Sequence, residues 1–190
     1  MRIRLEPRLV NRREGDPGLF IDLDGARDAL MIDCGSNDPL GKAELLRVSH
    51  VFVTHTHIDH FCGFDRLLRL VLGSVVHITV HGPPGLIENV RGKLAGYTWN
   101  LIDEDGPVFT VRELHGETVR CARFRCRNRF VLELDEVDPW LDVVHGPQDF
   151  GPEYADFKIG GDVMIGNLEV LKFIKALRAD SRIAFLCPAC

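Results

Sequence analysis

Val51-Phe52-Val53-Thr54-His55-Thr56-His57-Ile58-Asp59-His60-Phe61-Cys62-Gly63 closes an apolar, β-branched run with three imidazoles and a carboxylate between positions 55 and 60. Val48 to Thr54 has the composition of a buried strand. Ending such a strand in titratable groups is costly unless those groups have partners. Metal ions are the natural partners: imidazole suits zinc and other first-row divalent cations, and a carboxylate compensates their charge. His55 and His57, at i and i+2, project to one side of an extended chain, and Asp59 and His60 follow a turn and face a second position. Two cations about 3.5–4 Å apart activate water and clamp the oxygens of a phosphoryl or acyl substrate, the logic of a hydrolase. A set of capping histidines at a strand end would suit a lone imidazole better than this spacing. The spacing therefore predicts a metal-dependent enzyme with His55, His57, Asp59 and His60 as ligands.

Working outward, Gly18–Asp24 and Ala29–Asp33 are short apolar runs separated by a turn-rich segment, the pattern of antiparallel strands. Lys42–Arg47 predicts a short helix. Phe64–Leu72 and Leu86–Leu94 repeat their apolar residues at helical spacing, with Gly82-Pro83-Pro84-Gly85 as a rigid turn before the second. Val75–Val80, Val108–Leu114 and Val119–Leu134 read as strands. From Val163 the apolar residues 164, 165, 168, 171, 174 and 177 suggest a helix, and 183–186 a strand. Alternating strands and helices predict an α/β layered fold, with residues 1–190 as a single domain.

The chain has 190 residues, enough for one core. Its hydrophobic content of 45% and charged content of 27% are those of an ordinary globular protein. The longest apolar stretches are broken by Arg69 or Gly73, so no membrane span is expected. The N-terminus lacks the apolar segment of a secretory signal, and a cytoplasmic location is expected. Six scattered cysteines read as reduced thiols rather than a disulfide framework. The net charge of −5 argues against blanket nucleic-acid coating but allows a local basic site.

The stretches Leu30-Met31-Ile32-Asp33-Cys34-Gly35, Val51 to His60, Phe64-Asp65-Arg66-Leu67-Leu68 and Val80-His81-Gly82-Pro83-Pro84-Gly85-Leu86 together resemble the metallo-β-lactamase superfamily, and within it the ribonuclease Z branch. The resemblance covers about residues 18 to 100. It implies an αβ/βα four-layer sandwich with two zinc ions, manganese being the alternative metal. It also implies cleavage of phosphodiester bonds at the 3′ end of precursor tRNA, and a homodimer. His55 and His57 would bind the first ion, and Asp59 and His60 the second. Asp59 would also carry the catalytic proton-transfer role.

The same pattern calls for a third histidine on the first ion. His145, in Val143-Val144-His145-Gly146, is the candidate, with His115 as its competitor. Asp162 is the candidate bridging carboxylate. No histidine follows His145, so the final ligand is not at its usual place and the C-terminal part is expected to be incomplete or divergent. Alternative readings are a hydrolase of a small ester, lactone or cyclic phosphodiester, or a truncated, non-catalytic relative that binds RNA, a partner subunit or a single metal.

Arg123, Arg125, Arg127 and Arg129 alternate with other residues, so a continuous strand would put all four on one face, fit to track an RNA backbone. The competing reading is a solvated face paired with Glu133, Asp135 and Glu136. His50, His77 and His81 read as structural histidines, Cys62 as a small buried residue, and Cys187-Pro188-Ala189-Cys190 as incidental.

Overall fold

The computed structural model describes residues 4–135 apart from 13–14, 25–26, 103 and 116–117, together with 158–159 and 163–164. Eight strands lie side by side in chain order: β1 (Arg4–Leu9), β2 (Leu19–Asp24), β3 (Ala29–Ile32), β4 (Val48–Phe52), β5 (His77–Gly82), β6 (Val108–His115), β7 (Thr118–Arg125) and β8 (Leu132–Asp135). The strands β3 to β6 are parallel, and the flanking pairs are antiparallel. Helix α1 (Lys42–Leu45) connects β3 to β4. Helices α2 (Ile58–Phe61) and α3 (Phe64–Val71) connect β4 to β5, and α4 (Leu86–Ala95) connects β5 to β6.

All three crossovers step in the same direction across the sheet, so their common handedness puts the helices on one face. The burial agrees. Leu45, Phe64, Leu67, Val71, Leu86, Val90 and Leu94 are buried in one cluster with Met31, Val51, Ile78, Val80, Phe109 and Val111 of the sheet. Helix α3 shows why its sequence folds this way: Phe64, Leu67, Leu68 and Val71 form one buried stripe at helical spacing. The parallel arrangement also gathers the C-terminal ends of β3 to β6 along one edge, where an open α/β sheet places its ligands. Among the described residues no helix is long and apolar enough to cross a membrane.

Three expectations need correction. Strand β1 was not foreseen, because Pro7 in the middle of Arg4-Leu5-Glu6-Pro7-Arg8-Leu9 argues against a strand; it is an edge strand, where a proline without an N–H is tolerated. The long strand expected over Val119–Leu134 breaks after Arg125 into a 3₁₀ turn at Cys126–Asn128. Arg129 and Phe130 then take positive φ of 50° and 55°, which returns the chain as a hairpin and buries Phe130 against Trp99 and Phe109. Val163–Met164 is a strand, β10, paired with β9 (Lys158–Ile159), rather than the start of a helix. Gly160-Gly161 between them is a hairpin signal that the helical spacing had outweighed. The helix expected beyond Met164 and the strand at 183–186 lie outside the described residues.

Candidate metal centre

The histidine segment leaves the sheet at the end of β4. Val53 makes one more ladder bond, donating its N–H to the carbonyl of His81 at 2.8 Å. The chain then turns, and His57 caps the one-turn helix α2, which carries Asp59 and His60. The three imidazoles lie side by side. His55 lies with its ring centroid 4.4 Å from His57 and 3.9 Å from His60. His60 Nε2 is 3.6 Å from the carboxylate of Asp59, whose side chain is half exposed.

Two glycines fix this turn against the loop that follows β3. A Cβ on Gly63 would stand 2.0 Å from the carbonyl oxygen of Gly35, and one on Gly35 would stand 2.2 Å from that of Asp59. Only bare backbone lets the segments approach closely enough for Cys34 N–H to reach the His60 carbonyl at 2.8 Å and Gly63 N–H the Cys34 carbonyl at 2.9 Å. On the other side, Gly82 leaves room for Val53 and Leu86. The Gly82-Pro83-Pro84-Gly85 turn ends with Gly85 at φ 95°, a conformation that favours glycine, at the start of α4.

Behind the imidazoles sits Asp33, which sequence reasoning did not single out. It is only 6% exposed and holds a positive φ of 57°, which aspartate tolerates better than most residues. Its Oδ1 accepts the Thr54 N–H at 2.8 Å and the Thr54 hydroxyl at 2.8 Å, and its Oδ2 lies 2.9 Å from His60 Nδ1. An ionised carboxylate only accepts, so the His60 proton resides on Nδ1 and Nε2 keeps its lone pair. This is how a carboxylate orients an imidazole that ligates a metal. The Thr54 hydroxyl, spent as a donor on Asp33, accepts from His55 Nδ1 at 3.0 Å. The signal in the sequence was an aspartate closing an apolar strand ahead of Cys34-Gly35.

These residue types fit a divalent cation, with imidazole and carboxylate donors gathered at one edge and an orienting carboxylate behind them. Among the described residues no three donors converge on a common point in ligating geometry. His145 and Asp162 lie outside the described residues, as do Cys187 and Cys190.

The other histidines have partners of their own. His50 Nδ1 lies 3.0 Å from His81 Nε2, and His81 stacks on Phe52. Burial lowers His50 to about 4 and holds His81 well below the ordinary imidazole range, so both are neutral at pH 7. His77 bonds Thr110 at 2.7 Å; burial first, then Arg123 and Arg125, push its pKa down. His115 is not in the cluster: its Nε2 lies 2.6 Å from Glu113. Cys62 is partly exposed rather than buried, and its thiol donates to Asp16 at 3.3 Å.

The arginine row is changed by the break after Arg125. Only Arg123 and Arg125 share a face of β7; Arg127 lies in the 3₁₀ turn and Arg129 follows it at positive φ. Arg125 pairs with Glu133 at 2.8 Å. Because β7 runs antiparallel to β6 and Arg125 stands opposite Val108, this end of the strand lies at the sheet edge away from the histidines.

A fold with its chemistry at the C-terminal edge of parallel strands and a His-x-His-x-Asp-His turn after β4 is that of the metallo-beta-lactamase superfamily. That family matches residues 19–120, more than half of the chain, and the chain belongs to it. Within the family the likeness runs to the ribonuclease Z branch. Ribonuclease Z of Deinococcus radiodurans is 28% identical over 126 residues, covering 64% of this chain and 38% of that protein. Ribonuclease Z of Bacillus cereus (strain AH820) is 30% identical over 141 residues, covering 66% of this chain and 45% of that protein. The chain thus spans less than half the length of these relatives. Among solved structures, the metallo-beta-lactamase fold protein YhfI from Bacillus subtilis is 16% identical, with a TM-score of 0.40 over 62% of this chain and 57% of that one. The short form of human tRNase Z is 17% identical, with a TM-score of 0.39 over 70% of this chain and 62% of that one.

Proposed function

We propose that the protein is a metal-dependent hydrolase of the ribonuclease Z type, cleaving phosphodiester bonds in RNA, with the 3′ end of precursor tRNA as substrate. The observation that carries this reading is the gathering of His55, His57, Asp59 and His60 at the sheet edge, with the His60 proton held on Nδ1 by a buried carboxylate. His55 and His57 would hold one cation, with His145 as third ligand, and Asp59 and His60 a second, zinc being preferred over manganese. When bound, such cations lower the pKa of water and stabilise charge on a phosphoryl oxygen.

The chain's own residues do the rest. Asp33 fixes the His60 tautomer, Thr54 braces His55, and Asp59, half exposed beside His60, takes up the proton of the attacking water. Arg123, Arg125, Arg127 and Arg129 would meet RNA only far from the bond cleaved. The reading further takes residues 1–190 as one domain that works as a homodimer. The described cysteines are all free thiols, which suits the reducing cytoplasm.

Metal content and hydrolysis test the proposal. Two zinc ions per chain are expected, with turnover of precursor tRNA and of bis(p-nitrophenyl) phosphate. His57→Ala and Asp59→Ala should each cost at least about 100-fold in rate, more than loss of an orienting partner does, while RNA binding persists. Hydrolysis retained in both variants would refute the site. Turnover of esters or lactones without phosphodiesters would move the protein to another substrate class.

A further inference from the structure

A second buried carboxylate lies on the same edge. Glu113, near the end of β6, is only 2% exposed. Its Oε2 accepts the N–H of Ile87, in the first turn of α4, at 3.0 Å. Its Oε1 lies 2.6 Å from His115 Nε2 and 3.5 Å from the Arg120 guanidinium. Burial favours the neutral acid, but the Ile87 amide and His115 outweigh it and hold the carboxyl below the ordinary glutamate range. One carboxylate thus anchors two cation-forming side chains, both of which keep exposed surface: the His115 side chain is 34% exposed and that of Arg120 57%. Arg120 stands directly opposite Glu113 on β7, so the pairing follows from the register.

The register also places this group relative to the histidine cluster. Phe52 stands opposite His81, and His81 opposite Arg112. Strands β4 and β6 lie two spacings, about 10 Å, apart; the histidine segment follows the C-terminal end of the first, and His115 ends the second, on the same edge. Helix α4 touches both sites, since Ile87 reaches Glu113 and Asn89 donates to the Thr56 hydroxyl at 2.8 Å. A proton donor must come within about 3 Å of the atom it serves, or act through one water. With the strands that carry them separated by roughly three times that distance, His115 and Arg120 meet a different group of the substrate.

We infer that Glu113, His115 and Arg120 form a phosphate-binding subsite that takes a backbone phosphate neighbouring the one cleaved. The inference rests on the phosphodiester reading of the histidine cluster. Arg120 offers a guanidinium fork to the phosphate oxygens, His115 in its imidazolium form offers Nδ1–H as a second donor while Nε2–H stays on Glu113, and the buried Glu113 fixes both without itself facing the ligand. The site would separate polynucleotide substrates from small diesters that carry a single phosphate.

The test compares hydrolysis of a short oligoribonucleotide with that of bis(p-nitrophenyl) phosphate, which has no neighbouring phosphate. In His115→Ala and Arg120→Ala the ratio of kcat/KM on the oligonucleotide to that on the small diester should fall about tenfold, the effect of one charge-assisted hydrogen bond. His115→Gln, which still donates to Glu113, guards against local unfolding and should show the same fall. A ratio unchanged in all three variants would overturn the subsite. If the unmutated protein hydrolyses neither substrate, the phosphodiester reading fails, and the subsite is judged by fluorescence anisotropy of a labelled oligoribonucleotide. A Kd raised about tenfold by Arg120→Ala, with a salt dependence shallower by about one ion, would uphold it; an unchanged Kd would overturn it.

Discussion

Replacing Asp33 by asparagine separates its hydrogen bonding from its backbone role, because asparagine also tolerates the positive φ of 57° found there. The carboxylate accepts from three donors: the Thr54 N–H, the Thr54 hydroxyl and His60 Nδ1. An amide offers one accepting oxygen and one donating nitrogen. If the oxygen stays with Thr54, the amide nitrogen faces His60 Nδ1, and two donors oppose each other until His60 moves its proton to Nε2. If the oxygen turns to His60, the Thr54 N–H is left opposed. The stability cost of one opposed buried donor is about 1–3 kcal/mol, which a domain with roughly 5–15 kcal/mol survives. The first arrangement also occupies the nitrogen that Asp33 had kept free as a lone pair. Loss of an orienting partner typically costs 10–100-fold in metal affinity. Asp33→Asn should therefore stay folded by circular dichroism, lose about 1–3 kcal/mol in urea unfolding, and bind zinc roughly 10–100-fold more weakly by calorimetry. A folded variant with unchanged zinc affinity would refute the tautomer argument.

Gly63→Ala should be among the most damaging small substitutions in the chain, since its Cβ would meet backbone 2.0 Å away. Relief requires parting the β3 and β4 loops, so thermal unfolding should show a loss of several kcal/mol, about 3 or more, whereas Gly92→Ala, with nothing within 4 Å, should not destabilise. The His50–His81 pair sets a pH dependence. Burial lowers His50 to about 4, so between about pH 4 and 6.5 the unfolded chain binds the extra proton and stability rises with pH, then levels off. The His50 share approaches about 3 kcal/mol at the acid end, and His50→Phe should flatten urea-unfolding curves measured from pH 5 to 7. Burial pushes the Cys34 thiol up to about 12, so peptide mapping after iodoacetamide treatment at pH 8 should find Cys34 unlabelled and Cys62 slowly labelled.

The parallel centre of the sheet was legible because each crossover carries its own signal: an apolar run, a helical stripe such as Phe64, Leu67, Leu68 and Val71, and another apolar run. The histidine turn was legible because imidazoles at i and i+2 after a buried strand have few structural uses. Strand β1 was not, since Pro7, which has no N–H to give a ladder, sits in the middle of its alternating residues, and its place at the sheet edge comes from pairing with β2. The break after Arg125 was hidden for a different reason. Arg-Phe-Arg-Cys-Arg-Asn-Arg-Phe alternates like a strand, and only the tertiary demand to bury Phe130 against Trp99 and Phe109 shows that the alternation stops being used. The orienting role of Asp33 was not legible, because a lone aspartate at a strand end has many uses and its three donors come from a segment more than twenty residues away.

The two buried carboxylates show one device used twice. Asp33 and Glu113 each close or nearly close a strand of the parallel set, and each spends one oxygen on a backbone N–H, that of Thr54 or Ile87, which fixes the carboxylate to the fold. Each gives its other oxygen to an imidazole. The difference lies in which nitrogen is taken. Asp33 holds Nδ1 of His60, so the nitrogen left is Nε2, at the tip of the ring and 3.6 Å from Asp59, where a cation shared with that carboxylate would sit. Glu113 holds Nε2 of His115, so the tip is committed and only the flank of the ring is left, and the oxygen that holds it is shared with Arg120 rather than set beside another carboxylate. An imidazole next to a free carboxylate suits a cation, and one next to a guanidinium suits an anion. On the two readings proposed above, the same strand-end chemistry would serve a cation after β4 and an anion at the end of β6, on strands about 10 Å apart along one edge, an arrangement that fits a substrate with more than one phosphate.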